Sequence, residues 1–159
     1  MQDGKLIIES IGHCSPERAE RFTKTRLEVD DLLIAKDGGT LGKTAFVPIS
    51  LAGGNVTQHV LRFPISQLVF KLYVRLVIDS PHGQAWMRTE TKGVALPGVN
   101  VGDFRRMPVP LPPLAEQQRI VAKVDELMHW CDALESRLTA AQTTAATLLD
   151  ATLHQILAA

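Results

Sequence analysis

Cysteine is scarce in this 159-residue chain, which has only Cys14 and Cys131 and no C-x-x-C spacing. That scarcity excludes a disulfide framework and a cysteine-held zinc site, and both thiols are expected to be reduced. The five histidines, at 13, 59, 82, 129 and 154, form no i, i+4 pair and no H-E-x-x-H motif, so a metal centre is not expected. Long apolar runs are missing as well. Nothing approaches the roughly 18 residues of a membrane span, and "MQDGKLIIES" lacks the cationic start and apolar stretch of a signal peptide. A cytoplasmic protein with no membrane association is the expectation. Net charge is zero, which excludes a strongly basic chain, but the charge is unevenly spread. Met1 to Pro113 carries 14 Lys and Arg against 11 Asp and Glu, and Leu114 to Ala159 carries 3 against 6. The front is mildly basic and the tail mildly acidic, compatible with nucleic-acid contact by the front part.

One stretch that is present invites a nucleotide reading. "KDGGTLGKTAFVP", Lys36 to Pro48, ends its glycine cluster in the Gly-Lys-Thr of a phosphate-binding loop. The pattern G-x-x-x-x-G-K-[ST] requires glycine where Asp37 stands, an acidic side chain where a phosphate should approach bare backbone. The loop must also open a helix, yet Thr44 to Val47 is β-leaning and Pro48 follows. The expectation is instead strand, turn, strand, with Gly38, Gly39 and Gly42 supplying positive φ. A nucleotide hydrolase is the weaker alternative.

The composition changes at "RRMPVPLPPLAEQQ". Pro108, Pro110 and Pro112 hold the backbone extended, Pro113 suits the first position of a helix, and Glu116 falls in its first turn. From Leu114 to Leu157 there is no Gly or Pro, and Ala, Leu, Gln and Glu dominate. A seven-residue repeat places Ile120, Leu127, Leu134, Ala141 and Leu148 at one seam position, and Val124, Cys131, Leu138, Ala145 and Thr152 at the other. That is a coiled-coil seam, and about 66 Å of helix exceeds the width of a small domain. Folding back near Thr143 and Thr144 is the alternative to an external partner helix. The division expected is 1–107 for a mixed domain, 108–113 for a proline-rich junction and 114–159 for the helix. Strands are expected at Lys5 to Glu9, Asp31 to Lys36, Thr44 to Val47 and Val56 to Phe63. Short helices should begin at Ser15-Pro16, at Ser66 and at Ser80-Pro81. The fold class is α+β.

No catalytic constellation emerges. Cys131 lies in the seam, carboxylates are scattered, and "HWC" at His129 to Cys131 is explained by packing. For nucleic-acid contact the candidates are Lys36 and Lys43 beside the glycine turn, Gln58 and His59 on a strand, Lys92 in the "TETKGVALPG" loop, and Arg105 and Arg106. Cations of this kind neutralise phosphates, and amides or arginines can read base edges.

"DDLLIAKDGGTLGKTAFV", "TQHVLRF" and "LPGVNVGDFRRMPVPLPPLAEQQRIVAKVDEL" resemble the back part of a target-recognition domain and the conserved spacer helix in specificity (S) subunits of type I restriction-modification systems. The most specific element is "PVPLPPLAEQQRIV", Pro108 to Val121. The resemblance implies a non-catalytic DNA-reading subunit that binds double-stranded DNA and docks the methyltransferase (M) subunit, and through it the restriction (R) subunit. S-adenosylmethionine, ATP and magnesium are then expected on those partners, with no cofactor on this chain. One recognition region and one helix, where the family usually has two of each, imply an N-terminally incomplete domain, as a half-subunit pairing into a homodimer or as a fragment. A coiled-coil scaffold without DNA binding is the other reading left open.

Overall fold

The computed structural model describes residues 6–8, 11–66, 68–93 and 98–157. The fold is α+β, with a three-stranded antiparallel sheet, four short helices and one long C-terminal helix. Two compact units divide it, Met1–Gln118 and Arg119–Ala159.

In the first unit, β1 (Leu32–Ala35) is the central strand, flanked by β2 (Thr44–Phe46) and β3 (Val60–Phe63). Leu33 lies opposite Ala45 on one side and Arg62 on the other. Every residue of β1 is buried because both sheet faces are covered, and the two-residue period sorts its side chains between two clusters. Leu32 and Ile34 pack with Val74, Ile78, Met87, Val99 and Met107, while Leu33 packs with Leu27 and Val47. The first cluster is completed by α2 (Lys71–Asp79) and α3 (Pro81–Thr89). Ser80 separates these helices and caps α3, its hydroxyl accepting from the Gly83 amide at 3.2 Å. Ser15 caps α1 (Pro16–Arg21) in the same way.

Several expected elements are shorter than their sequence pattern. Val56 to His59 do not join β3, because residues 53–56 are drawn instead to Thr25–Leu27, with Leu27 N donating to Gly54 O and Val56 N to Thr25 O. Helix α2 begins at Lys71 rather than Ser66. The Ser66 hydroxyl accepts from the Leu68 amide at 3.2 Å, a local turn that competes with a helical start. The strand expected at Lys5 to Glu9 falls partly outside the described residues, and Leu6 to Ile8 within it are not a strand. Leu6 packs on the second cluster, whereas Ile7 and Ile8 are exposed. Of the three turn glycines, Gly38 and Gly42 take positive φ and Gly39 does not; it sits within a 3-10 turn, Gly38–Thr40. Gly42 is further constrained, since a Cβ there would lie 2.5 Å from Gln84 Oε1.

The proline-rich junction is tied into this unit by hydrogen bonds. Tyr73 donates its hydroxyl to Pro110 O at 3.0 Å. Gln117, 1% exposed, accepts from the Phe70 amide at 2.8 Å and donates to Pro112 O at 2.8 Å. Helix α5 (Leu114–Leu157) starts one residue later than the proline pattern implies. Pro113 lies outside the helix, and its carbonyl accepts from the Glu116 and Gln117 amides, a role that needs no N–H on proline.

The second unit consists of the remainder of α5, which is continuous through Thr143 and Thr144. The helix runs on through those threonines, whose hydroxyls donate to the carbonyls four residues back, Thr139 O and Ala140 O, each at 2.9 Å. Thr139, Thr147 and Thr152 do the same. Seam positions Ile120 and Val124 are half-buried, while Leu127, Cys131, Leu134, Leu138, Ala141, Ala145 and Leu148 are exposed. Beyond Ala145 the apolar surface also includes Leu149, Leu153 and Ile156, which continue a four-three spacing and leave Thr152 beside the stripe. No described helix is long and apolar enough to cross a membrane.

Removing the buried carboxamide should loosen the whole first unit. Gln117→Ala leaves the Phe70 amide and Pro112 carbonyl without their partner, and is expected to lower unfolding free energy by about 1–3 kcal/mol. Urea denaturation followed by tryptophan fluorescence checks this, and an unchanged midpoint would count against the assigned role.

Candidate nucleic-acid interface

The turn after β1 is a hairpin turn, since β2 follows antiparallel and no helix opens at Lys43. Thr44 points into the fold, donating to both Asp79 carboxylate oxygens at 2.8 and 3.0 Å. The geometry that a phosphate loop requires, amides at a helix N-terminus, is absent from this turn.

The hairpin instead forms one edge of a surface. Lys36 N donates to His59 O at 3.0 Å, joining the end of β1 to the segment before β3. On its other side Lys36 O accepts from Val99 N at 2.8 Å, and Lys92 and Gly98 exchange two backbone bonds, 2.9 and 3.0 Å. Gly98 also bridges to Asp37. Glycine is needed at 98: a Cβ would lie 2.8 Å from that of Asp37 and 3.1 Å from Lys36 O. Backbone approach therefore brings Lys36, His59 and Lys92 to the same edge.

Two carboxylates that the sequence did not single out organise the side chains there. Asp37 bonds the His59 ring through Nδ1, at 3.0 and 2.9 Å to its two oxygens, and Lys36 Nζ lies 3.8 Å away. Asp103, on the single-turn α4 (Val101–Phe104) and 7% exposed, accepts from Lys92 Nζ at 2.9 Å and from Arg106 Nη2 at 2.6 Å. The Lys92 hydrogen bond, helped by the charge of Arg106, holds the Asp103 carboxyl below its ordinary range. Arg106 also approaches Glu90 at 3.9 Å. Among the described residues, the side chains of Lys43, Gln58 and Arg105 are exposed and have no such partner. The seven expected contact residues thus divide into four that are anchored, Lys36, His59, Lys92 and Arg106, and three that are free.

A third ion-pair group stiffens the sheet behind this edge. Arg62 on β3 bonds Asp31 through Nε and reaches Glu28 at 2.9 Å. The bond to buried Asp31 raises the Arg62 guanidinium further above its already high ordinary pKa. Lys71 and Arg75 lie over the Phe46 ring, 5.5 and 5.8 Å from its centre, and each also pairs with an aspartate, Asp30 and Asp79. Apart from the i, i+4 pair Arg75–Asp79, these contacts join residues far apart in the chain and carry no local sequence signal, so only a tertiary structure reveals them. The described residues contain no cluster of His, Cys, Asp and Glu arranged for a metal, and both cysteines are free thiols.

The Asp103 pairing carries a signed pH dependence. Because the folded-state pKa is depressed, its stabilisation is fully present above the ordinary carboxylate pKa and is lost as pH falls through the depressed value. Asp103→Asn is therefore expected to lower the melting temperature at neutral pH, with the gap from the parent closing in acid. Melting curves of both proteins across the acid range check it; a gap independent of pH would rule out the charge as its origin.

Comparison with known proteins places these features in a family. The sequence model of the type I restriction modification DNA specificity domain matches residues 8–141. The chain is 24% identical over 139 residues to the type I restriction enzyme EcoBI specificity subunit of Escherichia coli, covering 87% of this chain and 29% of that protein. It is 26% identical over 126 residues to the EcoEI specificity subunit of Escherichia coli, covering 76% and 21% respectively. Against the EcoAI specificity subunit of Escherichia coli the identity is 34% over 88 residues, covering 53% and 14%. The chain spans less than a third of the length of these curated relatives. With its hairpin edge, junction and the first part of α5 all inside the matched region, the chain belongs to the type I restriction modification DNA specificity domain family.

Proposed function

We propose that this chain reads part of a double-stranded DNA site as a non-catalytic specificity component of a type I restriction-modification complex, and that α5 docks the methyltransferase subunit or a second copy of the chain. The observation that carries this reading is the edge described above. Lys43, Gln58 and Arg105 keep free, exposed side chains next in sequence to groups of that edge: Gln58 adjoins His59, which Asp37 holds, Arg105 adjoins Arg106, which Asp103 holds, and Lys43 ends the hairpin turn. Free cations bind phosphates, and a free amide such as Gln58 can pair with adenine N6 and N7 in the major groove. The names of the relatives, all specificity subunits, support the same reading. S-adenosylmethionine, ATP and magnesium chemistry then belongs to the methyltransferase and restriction subunits.

The chain, copurified with a cognate methyltransferase subunit, should shift a duplex bearing its site, with affinity falling steeply as salt rises. Lys43→Ala and Arg105→Ala should each flatten the log–log salt dependence by about one unit, whereas Gln58→Ala should chiefly relax sequence preference. Assembly without DNA binding would favour a helical scaffold.

The α5 seam makes a separate prediction. Leu134 and Leu138 are 61% and 60% exposed on the chain by itself, so a partner helix must cover them if the seam is used. Leu134→Asp would bury an unpaired charge there and is expected to dissociate the dimer or methyltransferase complex while the far-ultraviolet spectrum changes little. Gln142→Asp, beside the seam, should leave assembly intact. Sedimentation velocity distinguishes the two, and unchanged assembly in Leu134→Asp would move the interface elsewhere.

A further inference from the structure

Among the described residues a further group of unpaired cations lies outside the hairpin edge, on α1 and the turn that follows. Arg18 and Arg21 stand three residues apart on α1, Lys24 occupies the 3-10 turn Thr23–Thr25, and Arg26 follows. All four are exposed, and among the described residues none of their side chains has a carboxylate partner. The contrast with Lys36, Lys92 and Arg106, each close to a fixed aspartate, is plain. Only Glu17 and Glu20 share the segment, which leaves it with a surplus of two positive charges in a chain whose total is zero.

This patch is also held in place. Asn55 Nδ2 donates to Ala19 O at 3.0 Å, at the C-terminal half of α1, and Arg26 bridges to Asn55 through the backbone. Leu27 and Gly53–Gly54 exchange two further backbone bonds, 2.8 and 2.9 Å. The cations therefore project from a segment anchored to residues 53–56, which run directly into Gln58 and His59. Three residues lie between Asn55 and His59, a reach of at most about 14 Å over the four steps. Over that length duplex DNA presents roughly four phosphates on each strand. The distance from the patch's anchor to the hairpin edge is thus within the span of a single duplex.

We propose that Arg18, Arg21, Lys24 and Arg26 form a second, sequence-independent contact with the phosphodiester backbone of the same duplex that the hairpin edge reads. The patch supplies affinity and register, and the edge, with its anchored and free polar groups, supplies discrimination. The proposal rests on the DNA-reading function above. It adds a surface that neither the glycine turn nor the junction motif includes.

Fluorescence anisotropy with labelled duplexes, using the full chain copurified with a cognate methyltransferase subunit and a salt titration, tests it. The triple variant Arg18→Gln, Arg21→Gln, Lys24→Gln is expected to flatten the log–log salt dependence by about two to three units, with the same fractional loss on specific and unrelated duplexes. Arg26 is kept because its backbone is part of the anchoring bridge. As a control against misfolding, Glu17→Gln with Glu20→Gln should act in the opposite sense and tighten binding to every duplex. Parental binding with an unchanged slope in the triple variant would overturn the patch but leave the hairpin edge standing. Failure of the parent chain to bind any duplex would overturn both. Loss of heparin binding with unaltered DNA binding would assign the patch to another polyanion and overturn the proposal.

Discussion

A single buried carboxamide holds the first unit to the start of the long helix. Gln117 reaches the Phe70 amide, immediately before α2, and the carbonyl of Pro112, at the end of the extended junction. The polyproline stretch has carbonyls but few amides, so its carbonyls need donors from elsewhere; Tyr73 and Gln117 provide them. Glutamine suits this position because it both accepts and donates, which neither glutamate nor leucine can do. The junction is therefore a hydrogen-bonded part of the first unit, which extends one turn into α5, to Gln118. Burial of Gln117 fixes where the helix begins.

The hairpin edge depends on a different constraint, close approach of backbones at Gly98. Because no Cβ intervenes, the segment after the Lys92 loop can pair with Asp37 while its next residue, Val99, enters the core. Two aspartates then determine which cations are fixed and which are free. Fixed cations arrive in one geometry and lose little side-chain entropy on binding, while free ones follow a flexible polyanion at greater entropic cost. A surface with both kinds combines pre-ordered and mobile charge.

Local pattern accounted for much of the backbone. Ser15-Pro16 and Ser80-Pro81 start helices where capping rules place them, the glycine cluster makes a hairpin, and the run without Gly or Pro is one helix. The failures have tertiary causes. Ser66 has a serine cap's chemistry but uses its hydroxyl two residues on, and the Phe70 amide is taken by Gln117 from 47 positions away. Val56 to His59 have strand composition, yet the stretch beginning at Gly53 pairs with the chain before β1. For the candidate site, the cations were visible as types in loops. Their sorting by Asp37 and Asp103 was not, because it depends on which side chains the fold brings beside each carboxylate, and the α1 cations were not among the candidates.

Between Thr139 and Thr147, α5 has a slender waist: apart from Gln142, every side chain is alanine or threonine. The threonine hydroxyls there are already engaged with carbonyls of the same helix, so they offer little to a neighbour beyond methyl surface. Leucines stand on both sides of the waist, at 134 and 138 and at 148 and 149. A helix laid along the seam meets thick, thin and thick segments in turn, with the axes able to approach to about 8 Å only at the thin one. Sliding that neighbour by one heptad would set bulky side chains against bulky ones and leave voids at the waist, each costing packing energy. The profile of the helix would thus act as a gauge of length for such a neighbour, favouring one alignment by shape.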